Sequence, residues 1–173
     1  CLSKHMLTPE DFASVRAQLG RDPRSVIEVA HRCSCGQPDV LKTSPRLDDG
    51  TPFPTLYYMT CPKATGATGT LEANGVMKEL ADAIAADPEL AAQYEAAHEI
   101  YLAQREAIEH VEEIAGISAG GMPTRVKCLH VLIGHSLAAG PGVNPLGDMA
   151  LAMLKDWGQT GPCGGDDIES GSN

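Results

Sequence analysis

The sequence predicts an α+β protein with a small antiparallel sheet of about three strands packed with about five helices. Two observations lead to this class. β-Branched residues concentrate between residues 25 and 61, as in strands, whereas apolar residues beyond residue 70 recur at helical spacing. Because the two patterns occupy separate halves of the chain, the sheet and most helices are expected to be segregated. A chain of 173 residues is long enough to bury a core of its own.

The first element is predicted to be a helix that begins after Thr8. Pro9 suits the first helical position, and Gly20 suits the end. Three strands are then predicted over residues 25–33, 39–43 and 55–61, the last two separated by a turn rich in proline and aspartate. This order favours an antiparallel sheet.

The helical part is predicted to begin at Leu71, because residues 64–70 are small, glycine-containing and typical of a flexible link. Two helices are expected over residues 71–86 and 88–115, interrupted at Asp87-Pro88. A further helix is expected from Pro123 to about residue 138, and a last one is expected to be capped by Asp148.

Both ends of the chain are predicted to lie outside the domain. The His-Met pair near the start is typical of a cloning junction, so residues 1–5 are interpreted as a cloning remnant. Residues 164–173 are glycine, serine and acid, and are expected to be a disordered tail. A single domain over residues 6–163 remains, and because no signal-like apolar segment follows Met6, a cytoplasmic location is predicted.

Charge and hydropathy exclude two classes of protein. The net charge is −10, from 13 basic and 23 acidic residues, which argues against broad binding to nucleic acid. No apolar run approaches the ~20 residues of a membrane span. Phosphate loops, dinucleotide-binding glycine motifs and the serine nucleophile elbow are absent from the sequence.

The cysteines and histidines carry the chemical signal. Apart from Cys1 there are five cysteines, an odd number that makes a poor disulfide framework. Cys33-Ser34-Cys35 ends the first predicted strand and Cys61 ends the third, so these thiols are expected at one edge of the sheet. Cys128 would complete the set from a helix. A shared metal, ordinary burial and a reactive thiol all remain open for this set.

Helix geometry restricts which histidine can join Cys128. On a continuous helix Cys128 and His135 are about 10.5 Å apart along the axis, too far to bind one zinc ion together. Cys128 and His130 point apart on such a helix. They converge only if the helix begins late, near Leu129.

A set of specific motifs runs along the chain: Arg32-Cys33, Pro45, residues 49–62, Leu71-Glu72-Ala73-x-Gly75, His98-x-x-Tyr101, residues 120–123, residues 125–130, His135 and Asn144-Pro145-x-Gly147. Through these motifs the chain resembles the bacterial domain-of-unknown-function 501 family over about residues 25–150. Its version of the motifs, with Cys35 and Gly161-Pro162-Cys163, looks like the actinobacterial branch. The resemblance implies no activity; neighbouring genes in the family, for enolase, a septum-formation initiator and an exopolyphosphatase, imply a link to the envelope or to phosphate metabolism by association only.

The leading hypothesis is a zinc site formed by Cys33, Cys61, Cys128 and His130, structural if all four bind and hydrolytic if one position stays open. An iron–sulfur cluster, which would need Cys35 or Cys163 as well, is the less favoured cofactor. Whether the protein is an enzyme is left open. The further candidate site residues are Cys35, Glu72, His98, Arg125 and His135.

Two alternatives need no metal. The first is an enzyme or binding protein for a small anion, phosphate or carboxylate, held by basic residues and by the amides of the 140–147 loop. The second is an interaction module for an unidentified protein partner, linked to cell division or phosphate metabolism and supported by an acidic helix face. The basic residues of the first alternative are Arg32, Arg46, Arg125 and Lys127.

Overall fold

A computed structural model describes residues 7–154 and Trp157. The predicted cloning remnant, the predicted tail and Cys163 lie outside the described residues. The α+β class is confirmed, with a three-stranded antiparallel sheet and six α-helices among the described residues. In chain order the elements are α1 (Pro9–Leu19), β1 (Val26–Arg32), β2 (Pro38–Thr43), β3 (Tyr57–Met59), α2 (Pro62–Ala73), α3 (Val76–Ala86), α4 (Pro88–Glu106), a 3-10 helix (Glu112–Ile114), α5 (Leu129–Ala139) and α6 (Pro145–Met153).

The sheet has the order β1-β2-β3 and separates two hydrophobic clusters. Leu41, which pairs with Tyr58, packs with Val15 of α1 on one face. The neighbouring pair, Val40 and Met59, belongs to the larger cluster formed with the other helices. Since successive strand residues point to opposite faces, one strand contributes to both clusters. The sheet therefore lies between α1 and the helical bundle.

The helix α5 is the central element of the larger cluster. It contacts all three strands as well as α2 and α6, and five of its residues are at most 2% exposed. Gly134 lies where a Cβ would be 3.1 Å from the carbonyl oxygen of Tyr57, so the helix passes very close to β3. No helix among residues 7–154 is both long and apolar enough to cross a bilayer.

The prediction of a flexible link at residues 64–70 is wrong, because these residues lie inside α2. Pro62 begins this helix at its first position. Ala64 and Thr68 are buried, and the Thr68 hydroxyl donates to the Ala64 carbonyl at 2.7 Å. Glycine and threonine have weak helix propensity, so packing against the core decides the conformation of this segment.

The helix predicted to begin at Pro123 instead begins at Leu129. A tight turn precedes it, in which the amides of Arg125 and Lys127 donate to the carbonyls of Gly121 and Gly120. Gly121 has a φ of +93° and no room for a Cβ, so glycine is required there. The bond between Met122 and Pro123 is cis.

Two further boundaries differ from the prediction. The helix predicted to end near residue 115 ends at Glu106, and the chain then turns around the buried guanidinium of Arg105. The last helix is capped by Asn144 rather than Asp148, since the Asn144 side chain accepts from the Gly147 amide at 3.0 Å. Pro145 directly after the cap occupies the first helical position.

Candidate metal centre

Glu72, Cys128 and His130 meet at the junction of α2 and α5. One ligand atom from each lies within 4.8 Å of the other two. Glu72 comes from the last turn of α2, Cys128 is the N-cap residue of α5, and His130 is the second residue of α5. All three side chains are partly buried. Among residues 7–154 and 157 this is the one group of three or more His, Cys, Asp or Glu side chains with such spacing.

The late start of α5 brings Cys128 and His130 together. Cys128 has extended backbone angles, φ −152° and ψ 112°, and helical geometry begins only at Leu129. This is the condition under which the two side chains were expected to converge. The turn at residues 120–127 creates it, because its hydrogen bonds hold the chain in a non-helical path up to Cys128.

Both ring nitrogens of His130 face oxygen atoms. Nδ1 lies 2.9 Å from Oε1 of Glu72, and Nε2 lies 3.2 Å from the carbonyl oxygen of Thr65. The carbonyl has no proton, so Nε2–H must donate to it. Nδ1 then either carries a second proton or presents its lone pair to a cation shared with the carboxylate. The geometry therefore calls for a positive charge between His130 and Glu72.

The surroundings of the site shift two pKa values. The contact with Cys128 raises the pKa of His130 to about 9; burial opposes this shift, and Glu72 reinforces it. Burial by itself raises the pKa of the Cys128 thiol, but the neighbouring His130 and the Val131 amide outweigh burial, so this pKa is lowered. Both shifts stabilise the charged forms, the Cys128 thiolate and the His130 imidazolium, relative to the isolated side chains.

Glu72 also fixes the start of α5. Its Oε1 accepts a hydrogen bond from the Leu129 amide at 3.0 Å. That amide is one of the first four of the helix, which have no partner within the helix. The carboxylate thus links α2 to α5 while it orients His130, and the two roles depend on the same oxygen atom.

A cavity of about 270 Å³ opens beside the site. Cys128 and His130 form part of its wall, and Glu72 is not part of it. Tyr57, Tyr58 and Met59 of β3 form another part. A small molecule in this cavity would contact the sulfur and the imidazole directly. The other lining residues are Thr55, Thr65 and Val131.

Of the four predicted ligands, the structure brings Cys128 and His130 together and leaves Cys33 and Cys61 outside the group. Cys33 and Cys61 are 5% and 0% exposed and belong to the larger hydrophobic cluster. Cys33 follows β1, and Cys61 follows β3. Because β2 lies between these two strands, the strands are about 10 Å apart. Neither Cys33 nor Cys61 forms a disulfide, and buried cysteine packs as a small apolar residue.

Two of the further candidates are buried away from the group. Nδ1 of His98 lies 2.7 Å from the Ser118 hydroxyl. His135 stacks on Tyr57, and its Nδ1 accepts from the Asn144 amide at 3.2 Å. Burial lowers the pKa of His135 to about 4. Each of these histidines forms its hydrogen bond with a side chain outside the group, Ser118 or Asn144.

The remaining candidates lie at the surface. Cys35 is exposed in the turn between β1 and β2, and Arg125 is exposed in the turn before α5. Two of the basic residues of the anion-binding alternative are already paired. Arg32 binds Asp11 through two hydrogen bonds, of 2.8 and 2.7 Å, and Arg46 binds Glu113 at 2.8 Å.

Glu72 is the residue of the group whose role was predicted least accurately from the sequence. In the sequence analysis it is one of the further candidate residues and not one of the four predicted ligands. The signal that would have identified it is the helical register of residues 62–73, which directs Glu72 toward the start of α5. That register was hidden by the glycines and threonines of the segment.

Comparison with known proteins identifies the family of the chain but no chemical activity. A family model described as "Protein of unknown function (DUF501)" matches residues 29–152, more than half of the chain. The match includes Glu72, Cys128 and His130. No curated protein and no solved structure gives a significant match.

Proposed function

Since the chain belongs to the DUF501 family, whose description names no function, we propose its function from the site itself: Glu72, Cys128 and His130 bind one zinc ion. The site would have three protein ligands, two of which, Cys128 and His130, line the cavity. Three ligands with an open position are typical of catalytic zinc, whereas structural zinc sites have four protein ligands. The function that we propose is therefore that of a zinc-dependent enzyme of the hydrolytic class.

The arrangement of His130 is the observation that carries this proposal. A zinc-bound histidine usually donates its second N–H to a carbonyl or carboxylate, which fixes the ring. Nε2 of His130 faces the Thr65 carbonyl at 3.2 Å in this way. Nδ1 then points toward the Glu72 carboxylate, whose Oε1 is 2.9 Å away, and Cys128 lies beside both groups. A divalent cation would supply the positive charge that this geometry calls for.

The donor set favours zinc over harder cations. A thiolate and an imidazole are ligands that zinc prefers, whereas magnesium and calcium prefer sites made of oxygen alone. When bound, zinc supplies an activated water molecule or polarises a carbonyl group. Cys128 must remain reduced to act as a ligand, which suits the cytoplasmic location that the sequence predicts.

Zinc content is the direct test. Protein purified in the presence of zinc is expected to hold about one equivalent, measured by elemental analysis after dialysis. Cys128→Ser and His130→Ala should each lose most of it. Cys35→Ser is the matched control, because this thiol is exposed and outside the group. Protein without zinc, or a Cys35→Ser variant that loses as much zinc as Cys128→Ser, would overturn the proposal.

A second candidate function is a metal-free cysteine nucleophile, favoured by the position of Cys128 at the start of α5. A thiolate there benefits from the helix dipole, and an imidazolium beside it provides a proton. The Cys128 sulfur would attack a substrate carbonyl, and His130 would protonate the leaving group as the bond to it breaks. Water would then hydrolyse the thioester and restore the proton to His130.

Alkylation by iodoacetamide separates the two candidates. If Cys128 is a zinc ligand, added zinc should slow its alkylation strongly, and a chelator should restore the rate. If the thiol acts without metal, alkylation should be fast in dialysed protein and indifferent to zinc. Peptide mapping of the alkylated residue distinguishes Cys128 from the exposed Cys35.

A further inference from the structure

A second cavity, of about 290 Å³, lies on the opposite side of the sheet from the bundle, between α1 and the loop after β2. Its floor is apolar and includes Val26 and Leu41, which are both 1% exposed. Phe53 and Tyr58, whose ring centroids are 6.2 Å apart, form part of the wall. The volume is near the lower end of the ligand-site range, about 300–1,000 Å³, and so suits a small ligand.

Two arginines, Arg21 and Arg24, also line this cavity. Both are exposed, and within the described part of the chain neither forms an ion pair within 4.0 Å. The positive charge of Arg24 acts on Asp49 at a distance, but the two side chains do not form an ion pair. Arg16, in the neighbouring helix, is by contrast paired with Asp22 at 3.2 Å.

The backbone at Ser25 places these groups around the cavity. Ser25 has a φ of 52°, the one positive φ at a non-glycine residue among those described. Its carbonyl accepts from the Ser44 amide at 2.8 Å, and its hydroxyl accepts from the Asp48 amide at 3.0 Å. These bonds hold a conformation that L-residues rarely adopt. The resulting turn lets Arg24 and Val26, on either side of Ser25, both face the cavity.

We propose that this cavity binds a small organic carboxylate, with its apolar body on Val26, Leu41 and Phe53 and its carboxylate at Arg21 and Arg24. Guanidinium groups bind carboxylates through paired hydrogen bonds, and an apolar floor stabilises a hydrocarbon body by removing it from water. An apolar floor does not by itself require arginines beside it, and the arginines do not by themselves require an apolar floor. Neither Cys128 nor His130 lines this cavity, although Tyr58 contributes to the walls of both cavities.

Calorimetric titration with octanoate tests the proposal, with octanamide as the uncharged analogue and octylamine as the cationic one. Octanoate should bind, octanamide at least about tenfold more weakly, and octylamine not at all. Arg21→Gln and Arg24→Gln should each weaken octanoate binding about tenfold. Arg16→Gln is the matched control, because Arg16 is equally exposed but does not line the cavity.

Several results would overturn this assignment. Equal binding of octanoate and octanamide would show that the arginines do not bind the carboxylate. An Arg16→Gln variant that binds octanoate as weakly as Arg24→Gln would show the same. Tighter binding of octyl phosphate, or of inorganic phosphate alone, would assign a phosphate group instead of a carboxylate. All variants change exposed side chains, so circular dichroism should confirm that they fold. Their zinc content should be unchanged, which keeps this test independent of the proposed zinc site.

Discussion

Nδ1 of His130 lies 2.9 Å from Oε1 of Glu72, across 58 residues of sequence. Since Nε2 must donate to the Thr65 carbonyl, a proton or a metal ion has to sit between the other nitrogen and the carboxylate. This contact helps to join α2 to α5, together with the hydrogen bonds from the Leu129 amide to Glu72 and from His130 to Thr65, and it defines the candidate site. It also makes Glu72 the residue whose substitution is most informative.

Glu72→Gln should weaken zinc binding by more than the roughly tenfold to hundredfold that the loss of an outer-shell carboxylate costs, because it removes the charge of one of the three proposed ligands. The amide oxygen of glutamine still accepts from the Leu129 amide, so α5 should begin as before and the variant should fold. Competition with a fluorescent chelator measures the dissociation constant. Glu79→Gln, at an exposed position of α3, is the control, and an equal loss there would contradict the assignment.

Gly147→Ala should destabilise the protein strongly, because a Cβ at this position would overlap the Leu132 carbonyl and the Ser136 hydroxyl of α5. A loss of about 3 kcal/mol in the free energy of unfolding is expected, as for severe overpacking. Gly66→Ala in α2 is the matched control, since nothing lies within 4 Å of its Cβ. That change should stabilise α2 by about 0.5–1 kcal/mol. Urea denaturation measures both, and equal effects would show that α5 and α6 are not so closely packed.

Arg105→Lys should cost about 3 kcal/mol in the free energy of unfolding. The guanidinium is 1% exposed and donates to the carbonyls of Pro54, Ile114, Ile117 and Ser118. Lysine has one charged nitrogen and cannot reach carbonyls on both sides, so buried acceptors are left unpaired. Arg16→Lys, at an exposed ion pair, should change stability by less than about 0.5 kcal/mol. A tolerated Arg105→Lys would mean that the carbonyls find other donors.

His135 should make the protein sensitive to mild acid. Its pKa is about 4 in the folded protein, against 6.5 for an unperturbed histidine. The unfolded chain therefore binds more protons between these values, so the contribution is complete above pH 6.5 and is lost as the pH falls to 4. The loss amounts to about 3 kcal/mol.

His135→Phe isolates this effect, because phenylalanine keeps a ring against Tyr57 but does not titrate. The variant should be less stable than the natural protein at pH 7, since Asn144 loses its acceptor. The gap should shrink by about 3 kcal/mol by pH 4, as measured by urea denaturation at both values. A gap that stays constant would mean that His135 is not a buried neutral base.

Much of the fold was predictable because its signals are local. The strands β1 and β2 have β-branched sequences, and α1 and α4 begin with a capping residue followed by proline, with Thr8 and Asp87 as the caps. The segment that forms α2 has no such pattern, since its glycines and threonines are equally typical of a loop. Its helical structure depends on packing against the core.

The candidate site was predictable in part for the same reason. Cys128 and His130 are neighbours in the chain, and helix geometry alone stated the condition for their convergence. Glu72 joins them from another helix. Cys33 and Cys61 have the residue type of a ligand, but burial in the hydrophobic cluster accounts for them.

By itself, the sequence determined the α+β class, the starts of α1 and α4 at proline, and the residue types from which a thiolate site could be built. Only the tertiary structure decided which of these residues meet, because contacts over more than 50 residues depend on how α2 and α5 pack on each other. Periodicity and capping act within a few residues along the chain and carry no information about such distances.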